Sequence, residues 1–366
     1  MSKERGKPRR LPTHGMMKGH SRGVYTTVEL HKAPEHGGTK FLEVFHAIEY
    51  KYWVGNDAQG QGGLFTSYIN KMMVEKIHAS GWPGSVKTDE EKDAFIKGYR
   101  DMEGIELEAD KMEKNPGKRT VSKLLLNSLW GKTAQRVDKT NTSIIIDPAK
   151  FYRILYDKTV EIQDVRAVND TLVVKHQKRA ECLESLRTSA MHIAAMTTSH
   201  ARLHLYRLME KVGADNLVYT DTDSLIYTVP DGEEDPLKED LGKYLGDLTS
   251  ELSGKMKEFV TLGPKTYSYK QEMETGEEKI SLKAKGFTMT SAADKIVTFD
   301  NMKTMVQEVL EEVTPRTVQK VPQFTMRRDR EHNVYARDIE KQMKYTFNKR
   351  RVLSDGSTLP FGYRHK

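Results

Sequence analysis

With 366 residues, 37% of them hydrophobic, the chain is long enough for two or three modest domains or one multi-lobed enzyme with a real core. Its single cysteine, Cys182, excludes an internal disulfide and any cysteine-based zinc cluster, and points to a reducing compartment. Net charge is +7, yet residues 1–22 carry seven Lys/Arg against Glu4 and residues 326–366 carry eleven against five acids, so two ends of +6 flank a middle of −5.

No apolar run reaches membrane-spanning length and the start does not resemble a signal peptide, so an intracellular protein without a membrane partner is expected, nuclear if the source is eukaryotic. The charge distribution suits a phosphate-backbone partner; the alternative is that basic ends merely keep the protein in solution.

In chain order, residues 1–22 are polar, basic and aperiodic, and are expected to be a disordered leader. The stretch "KFLEVFHAIEYKYW" (40–53) predicts buried structure, at least partly a strand, and "GNDAQGQGG" (55–63) a flexible loop. "LFTSYINKMMVEKIHAS" (64–80) predicts an amphipathic helix stopped by Gly81 and Pro83. A second helical stretch begins at a Thr88 cap followed by acids and runs to about residue 114. "NPGKR" (115–119) breaks it, and "TVSKLLLNSLWGKTAQR" (120–136) is helical again, giving a helical hairpin.

Residues 137–180 predict short strands and turns, and 181–212 a long helix ended by Gly213, with Ala190, Ala194, Ala201, Leu205, Leu208 and Val212 at turn spacing. "NLVYTDTDSLIYTV" (216–229) predicts a hairpin, and the segment through Phe287 two further strands around a polar turn at 274–278. From Thr288 the chain predicts helix first, then an irregular basic region.

Two clusters carry chemistry. Asp221 and Asp223, one residue apart at a hairpin tip, repel each other unless a cation compensates them. Oxygen ligands of this kind hold Mg²⁺ or Mn²⁺, which takes substrate phosphates as further ligands. Phosphoryl transfer by two metals about 3.5–4 Å apart needs a further carboxylate from elsewhere. A D-x-D triplet also serves nucleotide-sugar glycosyltransferases, and acidic turns without metal are commoner than either. On the helix "KLLLNSLWGK", Lys123, Asn127 and Gly131 share one face, with Trp130 beside them and Arg119 a turn earlier. Such a face offers cations for a triphosphate, a flat ring for a sugar or base, and close approach at the glycine; the alternative is a solvated edge of an amphipathic helix. Leu124, Leu125 and Leu126 are expected to point elsewhere and anchor the helix.

Together these stretches resemble motifs of the family B DNA polymerases. "KLLLNSLWGK" resembles the fingers motif K-x-x-x-N-S-x-Y-G and "YTDTDS" the palm motif Y-x-D-T-D-S; "GPKTYSY" (263–269) resembles the K-x-Y element and "KAKGF" (283–287) the basic strand leading to the thumb. "EGIELEADKMEKNPGKR" is most similar to the protein-primed branch, especially polymerases of large self-synthesising (Maverick/Polinton-type) DNA transposons. The resemblance covers roughly residues 23 to 300. It implies an α/β fold of the α+β type: a palm with an antiparallel sheet carrying the Asp hairpin, helical-hairpin fingers and a basic thumb-like lobe. The corresponding division is a leader (1–22), partial palm and insertion (23–88), fingers (89–136), a strand-rich insertion (137–180), palm (181–287) and thumb-like lobe (288–366).

The resemblance further implies template-directed DNA synthesis from dNTPs on a primer–template, with Mg²⁺ or Mn²⁺ as cofactor. Asp223 would bind both metals and Asp221 would support the site. Lys123 and Arg119 would grip the nucleotide's phosphates, while Asn127, Trp130 and Gly131 would shape its pocket. Lys265 and Tyr267 would steady the primer end, and Lys283 and Lys285 would meet backbone phosphates. A terminal protein as primer is implied by the branch. Trp130 stands where most of the family has tyrosine, and nothing matches the upstream D-x-x-S-L-Y-P motif that supplies the other metal-binding aspartate; Asp57, in a glycine-rich loop, does not resemble it. The chain is therefore expected to be the carboxy-terminal part of a polymerase, completed by an N-terminal exonuclease and palm half. The alternatives are a transposon-derived, catalytically inactive nucleic-acid-binding remnant and, more remotely, a D-x-D glycosyltransferase.

Overall fold

The computed structural model describes residues 24–36, 43–49, 63–184, 186–329, 333–346, 350–352 and 358–360. The basic leader, most of the glycine-rich loop and Asp57 lie outside them. The fold mixes helices with antiparallel sheets. No helix among the described residues is long and apolar enough to cross a membrane.

A short helix α1 (Thr27–Lys32) comes first. Residues 43–49 then form neither helix nor strand, and Val44 and Ile48 are exposed, contrary to the buried strand expected there. Apolar density without a regular period does not select a face to bury.

Helices α2 (Thr66–His78), α3 (Asp89–Glu103) and α4 (Pro116–Thr133) pack round one apolar cluster that includes Met73, Ile77, Phe95 and Tyr99. Thr88 caps α3, its hydroxyl accepting from Glu91 N at 3.2 Å while the Glu91 carboxylate accepts from Thr88 N at 2.9 Å. The helix stops at Gly104, whose φ of +65° is left-handed, rather than running on to residue 114. Beyond it Ile105 and Leu107 alternate inward as an extended segment, and a single 3-10 turn follows at Ala109–Lys111. Pro116 begins α4 instead of belonging to a break. It occupies the first turn, where its missing N–H costs nothing, and Asn115 Oδ1 accepts from Lys118 N at 3.0 Å. Of the three leucines expected to anchor α4, only Leu126 reaches the cluster; Leu124 and Leu125 are exposed.

Strands β1 (Asn141–Ile145), β2 (Val160–Val168) and β3 (Thr171–Lys178) form an antiparallel sheet in the order β1-β3-β2. Helix α5 (Pro148–Leu155), which the sequence reading did not anticipate, starts at an Asp147 cap. Helix α6 (Met191–Val212) begins ten residues later than expected. The chain first returns to the end of α4, where Ala190 N donates to Thr133 O at 2.8 Å. On α6 Ala194, Ser199, Leu208 and Val212 are buried while Ala201 is exposed. Arg202 donates to Ser199 Oγ and to Glu29, which docks α1 on this helix.

Strands β4 (Leu217–Asp221) and β5 (Ser224–Tyr227) make a separate two-stranded sheet, and β6 (Lys255–Gly263), β7 (Thr266–Glu272) and β8 (Glu278–Ala284) a three-stranded one. The antiparallel sheet is thus divided, with side chains bridging the parts. Leu237, wholly buried, packs with Leu208 and Val212 under the first of these hairpins. Burying a leucine of this kind contributes about 1.5–3 kcal/mol.

The short helix α7 (Ser291–Asp294) contributes Ala293 to the core formed where α8 (Phe299–Leu310) packs on the three-stranded sheet. The region expected to be irregular is instead a ribbon of β9 (Gln319–Arg328) and β10 (Val334–Met343), paired along its whole length. Its alternation is disguised: the buried position Gln323 is polar, bonded both ways to the Thr288 backbone at 2.7 and 2.9 Å, while Phe324 and Met326 face water. Two short paired strands, β11 (Arg350–Val352) and β12 (Thr358–Pro360), end the described chain.

His78, buried at the end of α2, accepts from Glu108 N through Nε2 at 3.0 Å and so tethers the segment that follows α3. Burial holds its pKa below the ordinary value, with Glu108 and Glu75 opposing and Lys111 and Lys118 assisting. A depressed histidine stabilises the neutral form, so this contribution is present above the unfolded pKa of about 6.5 and is lost as pH falls through the window beneath it. Thermal unfolding at about pH 7.5 and about pH 5.5 should show a larger drop for the parent protein than for His78→Gln; equal drops would exclude His78 as the titrating group.

Candidate active site

The hairpin β4–β5 follows from its residues. Leu217, Tyr219 and Asp221 alternate inward while Val218 and Thr220 face out, and β-branched and aromatic side chains favour the pleat. Asp221 pairs with Ser224, leaving a two-residue loop of Thr222 and Asp223. Thr222 takes φ +55°, a place in such turns that glycine usually holds, so the tip stores about 1 kcal/mol or more of backbone strain. Asp223 N donates back to Asp221 O at 2.6 Å, and Thr222 Oγ1 donates to Asp221 Oδ1 at 3.0 Å. The Asp223 carboxylate is exposed.

The turn between β6 and β7 brings the compensating charge. Lys265, itself left-handed at φ +61°, directs Nζ to both oxygens of Asp221 at 2.7 and 2.6 Å. Its backbone N–H donates to Tyr219 Oη at 2.8 Å, and its carbonyl accepts from Lys285 N at 3.1 Å. The Asp221 carboxylate holds the Lys265 pKa above the ordinary value, with Tyr219 and Asp223 adding to the effect. Tyr219, Phe259 and Tyr267 cluster with ring centroids 5.0–5.7 Å apart. Burial, then Tyr219, raises the Tyr267 pKa. Lys283 lies opposite Tyr267 across the β7–β8 ladder, and both Lys283 and Lys285 are exposed.

The second group stands on α4, where Arg119, Lys123, Asn127, Trp130 and Gly131 are all exposed. Arg119 Nε donates to Ser80 Oγ at 3.1 Å, beside α2. There Lys76, half-buried, adds a third cation that the sequence reading missed; its pKa is depressed by burial and then by Arg119 and Lys123, with Glu103 opposing. Nothing in the sequence marks Lys76, because its significance comes from a neighbouring helix. Tyr219 was missed too, although it opens the "YTDTDS" stretch. The two groups share a support: α4 packs against α6, and α6 against β5.

Two carboxylates on one tip are hard oxygen donors of the kind Mg²⁺ takes. Among the described residues no third acid, histidine or cysteine joins them into a metal-holding group, and Asp221 is already engaged by Lys265. The donor chemistry suits one divalent cation at Asp223, and the set is too small for two.

Residues 104–214 match the family model described as DNA polymerase type B, organellar and viral. The similarity is to family B DNA polymerases. The match includes the whole α4 group and ends seven residues before Asp221. No curated protein and no solved structure matches the chain.

Competitive acetylation read by mass spectrometry tests the Lys265–Asp221 pair. A raised pKa leaves less free amine, so Lys265 should react faster in Asp221→Asn than in the parent; an unchanged rate would show that the pair does not govern Lys265 in solution.

Proposed function

We propose that the chain carries out template-directed DNA synthesis as part of a family B DNA polymerase in DNA replication, transferring a nucleotidyl group from a dNTP to a primer 3′-hydroxyl. The observation that carries this is the polymerase match over α4, whose exposed face presents Arg119 and Lys123 with Lys76 beside them. Lys76, whose pKa is lowered by burial and then by the neighbouring charges of Arg119 and Lys123, gains from an anion placed among the three, and a triphosphate supplies it. Asn127 and Trp130 shape the sugar and base pocket, and Gly131 permits close approach.

The primer 3′-oxygen attacks the α-phosphorus, the bond to the bridging oxygen of the β-phosphate breaks, and pyrophosphate leaves while the hydroxyl proton passes to solvent. Asp223, supported by Asp221, is the ligand for Mg²⁺ or Mn²⁺, which when bound neutralises charge on the reacting oxygens. A further carboxylate, from beyond the described residues or from another chain, completes a two-metal site. Lys265 and Tyr267 steady the primer end, and Lys283 and Lys285 take backbone phosphates. In this reading α3 and α4 act as fingers, the hairpin and three-stranded sheet as palm, residues 137–180 as an inserted strand-rich module, and the basic ribbon as a thumb. Protein priming and a transposon source belong to the same proposal.

A second reading is favoured by the small acid set: a nucleic-acid-binding remnant without catalysis. Single-nucleotide extension of a primed template with Mg²⁺ or Mn²⁺ separates the two. Extension should fall by more than about a hundredfold in Asp223→Ala, the order expected when one charge-stabilising group is removed. Equal extension by both proteins would overturn the assignment of Asp223. No extension by either, with template bound in a salt-sensitive way, would mean a truncated polymerase that needs its missing half, or the remnant.

A further inference from the structure

The segment between β5 and β6 is built as a strut. Its root is fixed to the hairpin and α6: Tyr227 Oη and Leu237 N both donate to Asp235 Oδ1, at 2.8 and 2.9 Å, and Lys211 Nζ meets both oxygens of Asp240 at 2.7 Å. Leu237 and Leu248 pack beneath the hairpin with Leu208 and Val212. Above that root, residues 241–248 close on themselves through Gly242 N to Leu248 O at 3.0 Å and Tyr244 N to Asp247 Oδ2 at 3.0 Å. The tip then enters the apolar cluster shared by α2, α3 and α4. The Tyr244 ring meets Tyr99 edge-on at 5.3 Å, Lys243 Nζ lies 5.1 Å from the Phe95 ring, and Leu245 N donates to Glu103 Oε1 at 2.7 Å. Gly98 makes room for the ring; a Cβ there would come within 2.5 Å of Tyr244 Oη.

We propose that Tyr244 is a positioning residue, which fixes the α2–α4 unit, with Lys76, Arg119 and Lys123, relative to the Asp221–Asp223 hairpin. Its structural half stands on these contacts alone, and its consequence for nucleotide use rests on the polymerase reading above. The root of the strut shares its core with Leu217, Leu225 and Tyr227 of the hairpin, and its tip shares one with Leu126 of α4. The strut is therefore a second mounting point beside the α4–α6 packing. A shift of an ångström between phosphate-binding cations and a reacting centre costs up to about a hundredfold in rate.

Spin labels on cysteines at Asp93 and Val218, both exposed, in a Cys182→Ser background report the α3-to-hairpin distance. The parent and Tyr244→Phe should give one narrow distribution, and Tyr244→Ala a broadened or displaced one. Gly98→Ala, which favours the helix yet pushes on the Tyr244 hydroxyl, should also displace it, and adding Tyr244→Phe should restore the parent distance. Distributions in Tyr244→Ala and Gly98→Ala that match the parent would overturn the proposal. In nucleotide incorporation, Tyr244→Ala should raise the KM for dNTP by about tenfold with a smaller change in kcat; an unchanged KM in an active enzyme would overturn the positioning role. A parent without incorporation strikes the reading of this chain as a polymerase on its own, and the label distances still decide the mounting.

Discussion

Asp221 and Asp223 flank a single residue, Thr222, at the tip of a two-residue turn, and a cation from elsewhere offsets one of their two negative charges. Lys265 does so from a second turn, reaching both oxygens of Asp221. Both turns carry a non-glycine residue in the left-handed region, Thr222 in one and Lys265 in the other. Strained backbone of this kind persists where surrounding contacts over-determine it, and the contacts are present: Tyr219 Oη accepts from the Lys265 N–H, and Tyr219, Phe259 and Tyr267 pack between the two hairpins. The ion pair is half open to solvent, so its value lies in placement rather than in stability.

Around that pair the molecule is organised by α6. The helix carries the hairpin on one side, receives α1 through Glu29–Arg202 and Lys32–Glu210, and packs against α4. The cations of α4 and the carboxylates of the hairpin therefore share one rigid element although they come from distant parts of the chain. The strut at 237–248 adds a second path between the same two regions. One path joins the helices near the end of α4 and the other grips α3, so the geometry between the groups has two supports.

Much of this was readable from local chemistry. Thr88, Asp221–Ser224 and Gly213 mark a cap, a turn and a helix end by residue type alone, and the α4 face follows from spacing. The failures share a cause. Gly104 is one glycine inside a helical pattern, and residue type alone does not mark its left-handed conformation or the inward turn of Ile105 and Leu107 that follows it. Pro116 reads as a breaker or as a first-turn residue, and the difference lies in whether Asn115 caps it. The ribbon was hidden because Gln323 is buried by bonds to Thr288, a partner far away in sequence. Lys76 and Tyr244 carried no local signal, since each matters only through what packs on it. What could be read of the candidate site was therefore its carboxylates and its α4 face; their supports could not be read.

The hydrogen bond from Ala190 N to Thr133 O has a further meaning. It joins the points where the chain leaves α4 and returns to α6, so residues 134–189 form an excursion whose two ends meet. The entropic cost of closing such an excursion grows only with the logarithm of its length, which makes length nearly free to vary. The sheet β1-β3-β2 with α5 therefore leaves and rejoins the frame of α4 and α6 at one point, and its length places little entropic demand on the spacing of the charged groups that the frame presents.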